Sequence, residues 1–199
     1  MEDMRKWLQI SPKAKWKILP GGGARLVSRI EGATYHSVVD NLSNLPTDAD
    51  LYCFQAGIND YWTKGVLLGT YDPDDFDGAL DTGTVCGALE AVFRYMKEIN
   101  KPVVFIISHK IQSTASSKNA MGDTFQDYHD AMVEICKKYA VPYYDAFNDS
   151  GLDGANVEQN EMYLTGNSES TPDGIHPNAE GYRLFYVPQL IRIFEDVLG

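Results

Sequence analysis

The sequence has no apolar run near the roughly 18 residues that a membrane-spanning helix needs. Its longest aliphatic stretch, Val103 to Ile107, is the length of one strand. Cysteine is scarce: Cys53, Cys86 and Cys136 are odd in number and form no CxxC pair. They read as small buried hydrophobes, not as a disulfide framework or a zinc site. Cationic side chains are outnumbered, 17 Lys and Arg against 28 Asp and Glu, for a formal charge of -11. A surface of that sign repels phosphate backbones and anionic headgroups, so nucleic acid and membrane are poor partners. The stretch Met1 to Trp7 lacks the apolar centre of a secretory leader. The default compartment is the cytoplasm, with a leader lost along with an upstream segment as the other reading. What the chain does have is apolar material: 44% hydrophobic and 12% aromatic over 199 residues. That suffices to bury about 70% of the unfolded surface in a single domain spanning 1–199.

Short β-rich runs alternate with longer stretches of 3.6-residue period, the pattern of a parallel sheet covered by helices. Strands are expected at Leu26 to Ile30, Asp50 to Ala56, Val103 to Ser108 and Val141 to Asp145. Helices are expected at Tyr35 to Leu45, Val85 to Ile99, Phe125 to Tyr139 and Ala179 to Leu198. The fold class is therefore α/β, a doubly wound parallel sheet. The connections Trp62 to Gly83 and Phe147 to Pro177 are longer than most and rich in Gly, Asp and Asn. In open parallel sheets the ligand crevice lies beyond the carboxyl ends of the strands, so these loops are where chemistry is sought.

Two motifs fall there. Gly57-Ile58-Asn59-Asp60 follows the second strand. Its glycine permits a sharp turn, and the Asn59 amide is a neutral donor suited to an oxyanion. The same four residues also read as ordinary turn chemistry. Asp173-Gly174-Ile175-His176-Pro177 precedes the last helix. The spacing lets Asp173 hold one nitrogen of His176 and leave the other as a general base. A plain helix start with Asn178 as N-cap is the alternative. His109, just past the third strand, lines the crevice or caps the strand. Tyr61 and Trp62 flank a ligand or pack in the core. His36 and His129 read as surface residues of helices. Asp72 to Asp77 reads as a solvated acidic turn with weak cation binding as the alternative, and Asp149 to Gly154 as a polar loop lacking a full calcium ligand set. No metal or organic cofactor is implied.

These motifs resemble those of the SGNH hydrolases, also called GDSL lipases and esterases, whose blocks contribute Ser, Gly, Asn and His. Gly57 to Asp60 is similar to the Asn block, Asp173 to His176 to the Asp/His block, and Gly32-Ala33-Thr34 to the Gly block, with Gly23-Ala24-Arg25 as a competing turn. The resemblance implies a three-layer, flavodoxin-like sheet and hydrolysis of small acyl esters, including acetylated sugars. It makes His176 the base, Asp173 its partner, and Gly32 and Asn59 the oxyanion donors. The family's first block, Gly-Asp-Ser, is absent. Ser11, Ser28 and Ser37 do not sit on the strand-to-helix elbow that a nucleophile uses. Either the natural chain extends upstream, with Met4 to Ile10 the remains of its first helix, or catalysis has been lost and a carbohydrate- or acyl-binding module remains. A missing first strand would leave open sheet edges. Lys15 to Leu19, or a strand of another copy in a homo-oligomer, is expected to pair there.

Overall fold

The computed structural model describes residues 23–32, 34–111, 117–166 and 171–199. Three parallel strands, β1 (Tyr52–Gln55), β2 (Val103–Ile107) and β3 (Tyr143–Asp145), lie in that order in one sheet. The register pairs Tyr52 with Val103 and Phe105 with Tyr143. All five residues of β2 are buried, because apolar layers cover both of its faces.

On one face, helices α2 (Val85–Glu98) and α3 (Phe125–Lys138) pack Leu89, Phe93, Tyr128 and Met132 against Phe105 and Ile107. On the other, α7 (Val187–Leu198) packs Val187, Leu190 and Phe194 against Val104, Ile106 and Tyr144. Thr84 and Thr124 start α2 and α3 by accepting from the amides of Gly87 and Asp127, the latter as a full capping box. Both helices end alike. Left-handed Asn100 and Ala140 donate to the carbonyls of Lys97 and Lys137, and the next amides reach back to Met96 and Cys136. Short helices α1 (Ile58–Trp62), α4 (Ala146–Asp149), α5 (Val157–Tyr163) and α6 (Ala179–Gly181) occupy the connections.

Three expectations are corrected. Leu26 to Ile30 is no strand. Leu26 and Val27 are buried, but side chains bind the segment: Asp60 takes the amides of Leu26 and Val27, Asp40 that of Arg29 and the Tyr35 hydroxyl that of Ile30. Apolar pattern reported the burial of Leu26 and Val27 correctly. It reported that of Ile30, which is exposed, and the pairing wrongly, since a buried segment held by side chains excludes water as a strand does. Tyr35 to Leu45 yields only a six-residue 3₁₀ helix, Val39–Asn44. The last helix is interrupted by a π-helical turn, Tyr182–Tyr186, between α6 and α7. The expected roles of Met4 to Ile10, Ser11 and Lys15 to Leu19 lie outside the described residues.

The acidic turn Asp72 to Asp77 is exposed, as expected, and its backbone is in addition tied down. The carbonyls of Asp72 and Asp75 accept from the Lys138 ammonium at 2.6 and 2.7 Å, and that ammonium also pairs with Glu90. An internal lysine thus anchors the long loop to α2 and α3. Cys86 and Cys136 are buried, whereas Cys53 lies exposed on β1.

Candidate functional site

The site begins with a pinned loop. Asp173 donates its amide to Leu164 O at 2.9 Å, Gly166 donates to His176 O at 2.8 Å, and Asn178 donates to Tyr163 O at 2.8 Å. These bonds lay residues 173–178 along the chain that leaves α5. Gly166 has φ +56 and passes so close that a Cβ there would stand 3.4 Å from His176 Cβ and 3.5 Å from Asp173 Oδ2. A left-handed backbone under the loop therefore favours glycine.

Within the loop, the two oxygens of Asp173 divide their work. Oδ2 meets His176 Nδ1 at 2.8 Å, and Oδ1 accepts from the amides of Ile175 and His176, each at 2.8 Å. Burial alone raises the Asp173 carboxyl, but the backbone and ring N–H of His176 and the Ile175 amide outweigh it and hold the group below its ordinary value. The carboxylate therefore stays charged and orients the imidazole. The His176 side chain is 70% exposed, and Nε2 is left free of protein partners among the described residues. That is the arrangement of a general base with its orienting acid.

A second Asp–His pair shows why exposure matters. His129, expected on the surface, is buried, with its ring stacked on Phe147 at 4.7 Å. Its Nε2 faces Asp145 at 3.0 Å and its Nδ1 faces Asp130 at 2.7 Å. Both ring nitrogens are occupied, so this histidine has none to exchange a proton with a ligand. It ties α3 to the end of β3 instead.

The Gly57 to Asp60 motif follows the end of β1. Gly57 has φ +107, and a Cβ there would lie 2.2 Å from Met132 Cε, so the turn off β1 requires glycine. Asn59 Nδ2 donates to Ala24 O at 3.0 Å, which uses one of its two amide hydrogens. Asp60 is fully buried and accepts from the amides of Leu26 and Val27 at 3.0 and 3.2 Å. Burial raises its carboxyl above the ordinary value even though those amides pull the other way. The motif thus binds the segment Ala24 to Val27. Asn59 is bonded to Ala24, the residue after Gly23; Gly23 and Gly32 are both exposed, with open space around them.

Of the two readings given for Tyr61, the structure shows core packing. It is 2% exposed, donates to Ser117 O at 2.8 Å and stands edge-on to Phe125 and Tyr128. Trp62 is half exposed and remains available to a ligand. His109 follows β2 and is 1% exposed, with Nδ1 2.6 Å from the Tyr186 hydroxyl. Burial first, and then the neighbouring His176, lower its pKa to about 4, against the opposing pull of Asp153 and Asp173. His109 is therefore neutral and within electrostatic reach of the dyad. Its Nε2 is buried without a partner among the described residues, a state that costs about 1–3 kcal/mol.

The parallel register sets β1 and β2 side by side, so Asn59 and His109 both emerge at the carboxyl end of the sheet. No serine among the described residues bonds to His176. Ser28 pairs with Thr82 at 2.7 Å, Ser37 caps the amide of Asp40, and Ser108 accepts from Gln55. No cluster of three or more His, Cys, Asp or Glu that could hold a metal occurs among the described residues. Sequence reasoning passed over Asp60, Gln55 and Tyr186. Asp60 stood inside a quoted motif, whereas nothing in the local pattern marks Gln55 or Tyr186.

A crystal structure 26% identical to this chain superposes with a TM-score of 0.71, over 88% of this chain and 76% of the other. A Lactobacillus plantarum protein of 27% identity does so with a TM-score of 0.67 and the same coverage. A provisionally assigned arylesterase from Agrobacterium tumefaciens str. C58, at 13% identity, shares the fold over 99% of this chain and 86% of its own, with a TM-score of 0.58. No curated protein sequence matches. Residues 19–184 match the sequence profile of the GDSL-like Lipase/Acylhydrolase family. With that match spanning most of the chain, and with a parallel α/β sheet carrying an exposed Asp–His pair ahead of its closing helix, this chain belongs to the GDSL-like lipase/acylhydrolase family of hydrolases.

Proposed function

We propose that the carboxyl end of the sheet is a crevice for small acyl esters, with His176 as general base and Asp173 as its orienting partner. One observation carries this reading: an exposed imidazole whose inner nitrogen is fixed by a charged carboxylate while the outer one is free. In acyl transfer a serine hydroxyl attacks the ester carbonyl, His176 removes its proton and amide donors stabilise the oxyanion; on collapse the C–O bond to the alcohol breaks, His176 returns the proton to that alcohol, and water repeats the sequence to release the acid and free the serine. Each such donor is worth about 3–4 kcal/mol of barrier. Asn59 has one amide hydrogen left for that role. Its glycine partner is Gly23 in preference to Gly32, because the residue after Gly23, Ala24, is the one bonded to Asn59.

A second reading for this chain is a crevice which binds acyl or carbohydrate esters without cleaving them; among the described residues no serine bonds to His176. Hydrolysis of p-nitrophenyl acetate by this chain, by His176→Ala and by a form extended upstream with a Gly-Asp-Ser block separates the two. Turnover that vanishes in His176→Ala supports the hydrolase. Background rates in all three forms, with ester binding retained, support the binding module.

A further inference from the structure

A cavity of about 510 Å³ opens between the loop that follows α1 and helices α2 and α3. Glu90, Arg94 and Lys138 form its inner wall, and Tyr71, Asp75 and Asp81 stand on the loop side. That volume is within the roughly 300–1,000 Å³ of small-molecule sites. β3 begins shortly after α3 ends, so Lys138, in the last turn of α3, lies toward the amino end of the sheet, whereas the ester crevice proposed above lies at its carboxyl end. The Lys138 ammonium is saturated by the carbonyls of Asp72 and Asp75 and by Glu90 Oε2. Its neighbours are not. The Glu90 side chain is 3% exposed and its Oε2 also takes the Tyr139 hydroxyl, but Oε1 has no hydrogen bond among the described residues. Arg94 donates from Nε to the Tyr139 hydroxyl and from Nη1 to the Gly78 carbonyl, while Nη2 only approaches Glu90 at 4.0 Å. At the rim, Oδ1 of Asp72, Asp75 and Asp81 accepts from the amides of Asp74, Gly78 and Gly83, and the three Oδ2 atoms have no hydrogen bond among the described residues.

We propose that this cavity binds a neutral sugar ring, with one hydroxyl accepting from Arg94 Nη2 and its neighbour donating to Glu90 Oε1. A donor and an acceptor side by side on one wall match adjacent hydroxyls, each of which can act in either role. The open rim carboxylates take further hydroxyl protons, and Tyr71 and Leu80 offer apolar surface to the C–H face of the ring. Anions are disfavoured because the carboxylates of Asp72, Asp75, Asp81 and Glu90 outnumber Arg94 and Lys138. A cation would have to sit against those two positive groups. An apolar ligand would leave the Glu90 oxygen and the Arg94 N–H groups without partners. The inference stands apart from the ester crevice, since no residue of the His176 loop lines this cavity.

Two-dimensional ¹H–¹⁵N NMR of the protein, titrated in turn with D-glucose, D-galactose, D-xylose and N-acetyl-D-glucosamine, tests this. At least one of these sugars is expected to move the Arg94 Nε–H and Glu90 amide signals saturably, with a Kd on the order of 1–10 mM. Cyclohexanol, a ring of similar size with a single hydroxyl, is expected to leave them in place. Ala79→Trp, on the exposed part of the loop, fills the cavity without removing any of the hydrogen bonds named above, and is expected to weaken the sugar at least about tenfold. Glu90→Gln turns the open acceptor into a donor and is expected to weaken it by about the same factor, the order of one hydrogen bond to a charged group. If Glu90→Gln does not fold, Ala79→Trp still decides. No saturable movement with any of the sugars up to about 100 mM, an equal response to cyclohexanol, or unchanged affinity in Ala79→Trp would overturn the inference. Movement produced by calcium chloride and by none of the sugars would overturn it in favour of a cation at the same carboxylates. Each of these outcomes leaves the ester crevice standing, because its own test reads His176.

Discussion

Replacing Lys138 with methionine removes an ammonium whose side chain is 2% exposed, while most of its length and apolar bulk remain. In the native protein that ammonium bonds to Glu90 and to the carbonyls of Asp72 and Asp75, and lies 5.3 Å over the Phe76 ring and 5.2 Å over that of Tyr139. The variant strips the donor from both loop carbonyls. Glu90 keeps the Tyr139 hydroxyl at 2.8 Å and a distant Arg94 at 4.0 Å. Removing one member of a buried ion pair costs about 3–5 kcal/mol, because the other charge is left uncompensated. The Tyr139 bond places this case at the lower end, about 3 kcal/mol. For a chain of this length that lowers the thermal midpoint by about 6–12 °C. Urea unfolding followed by far-UV circular dichroism gives the free energy directly. The double variant Lys138→Met/Glu90→Gln is expected to recover at least about 1 kcal/mol, since it removes the stranded charge. A single variant within about 0.5 kcal/mol of the native protein, or strictly additive effects in the double, would refute the claim that Lys138 anchors the loop.

Other outcomes follow from the same geometry. Gly57→Ala combines a φ of +107 with overlap against Met132 Cε; urea unfolding should show a loss of about 1–3 kcal/mol, and Met132→Ala in the same chain should recover only the part due to overlap. The stabilisation from Asp173 is present above the ordinary carboxyl value of 3.8 and is lost as pH falls through its lower folded value. The stability gap between native protein and Asp173→Asn should therefore close as unfolding is measured at successively lower pH in the acid range. Cys86 is held at a pKa of about 12, by burial first and then by Glu90 and Asp123. Its alkylation by iodoacetamide at pH 8, read by mass spectrometry, should be at least about a hundredfold slower than in unfolded protein.

Periodicity alone located β1, β2, β3, α2 and α3 to within a few residues, because each buries a regular apolar stripe and starts or stops at a local signal such as Thr84 or Thr124. It placed Asp173 beside His176 for the same reason: three residues on one turn meet whatever the rest of the chain does. The spacing of Gly57 and Asn59 was equally legible, but their partners were not. Nothing local marks Asp60 as the carboxylate that binds Leu26 and Val27, 34 and 33 residues away. The same holds for Lys138 reaching the Asp72 carbonyl across 66 residues, and for His109 meeting Tyr186 across 77. Buried polar groups must find partners wherever folding brings the chain together, so burial decided which histidine keeps a free nitrogen and which is locked between carboxylates. Sequence determined the short-range geometry of this protein; the tertiary structure decided the long-range pairings, because a hydrogen bond depends on separation in space and not along the chain.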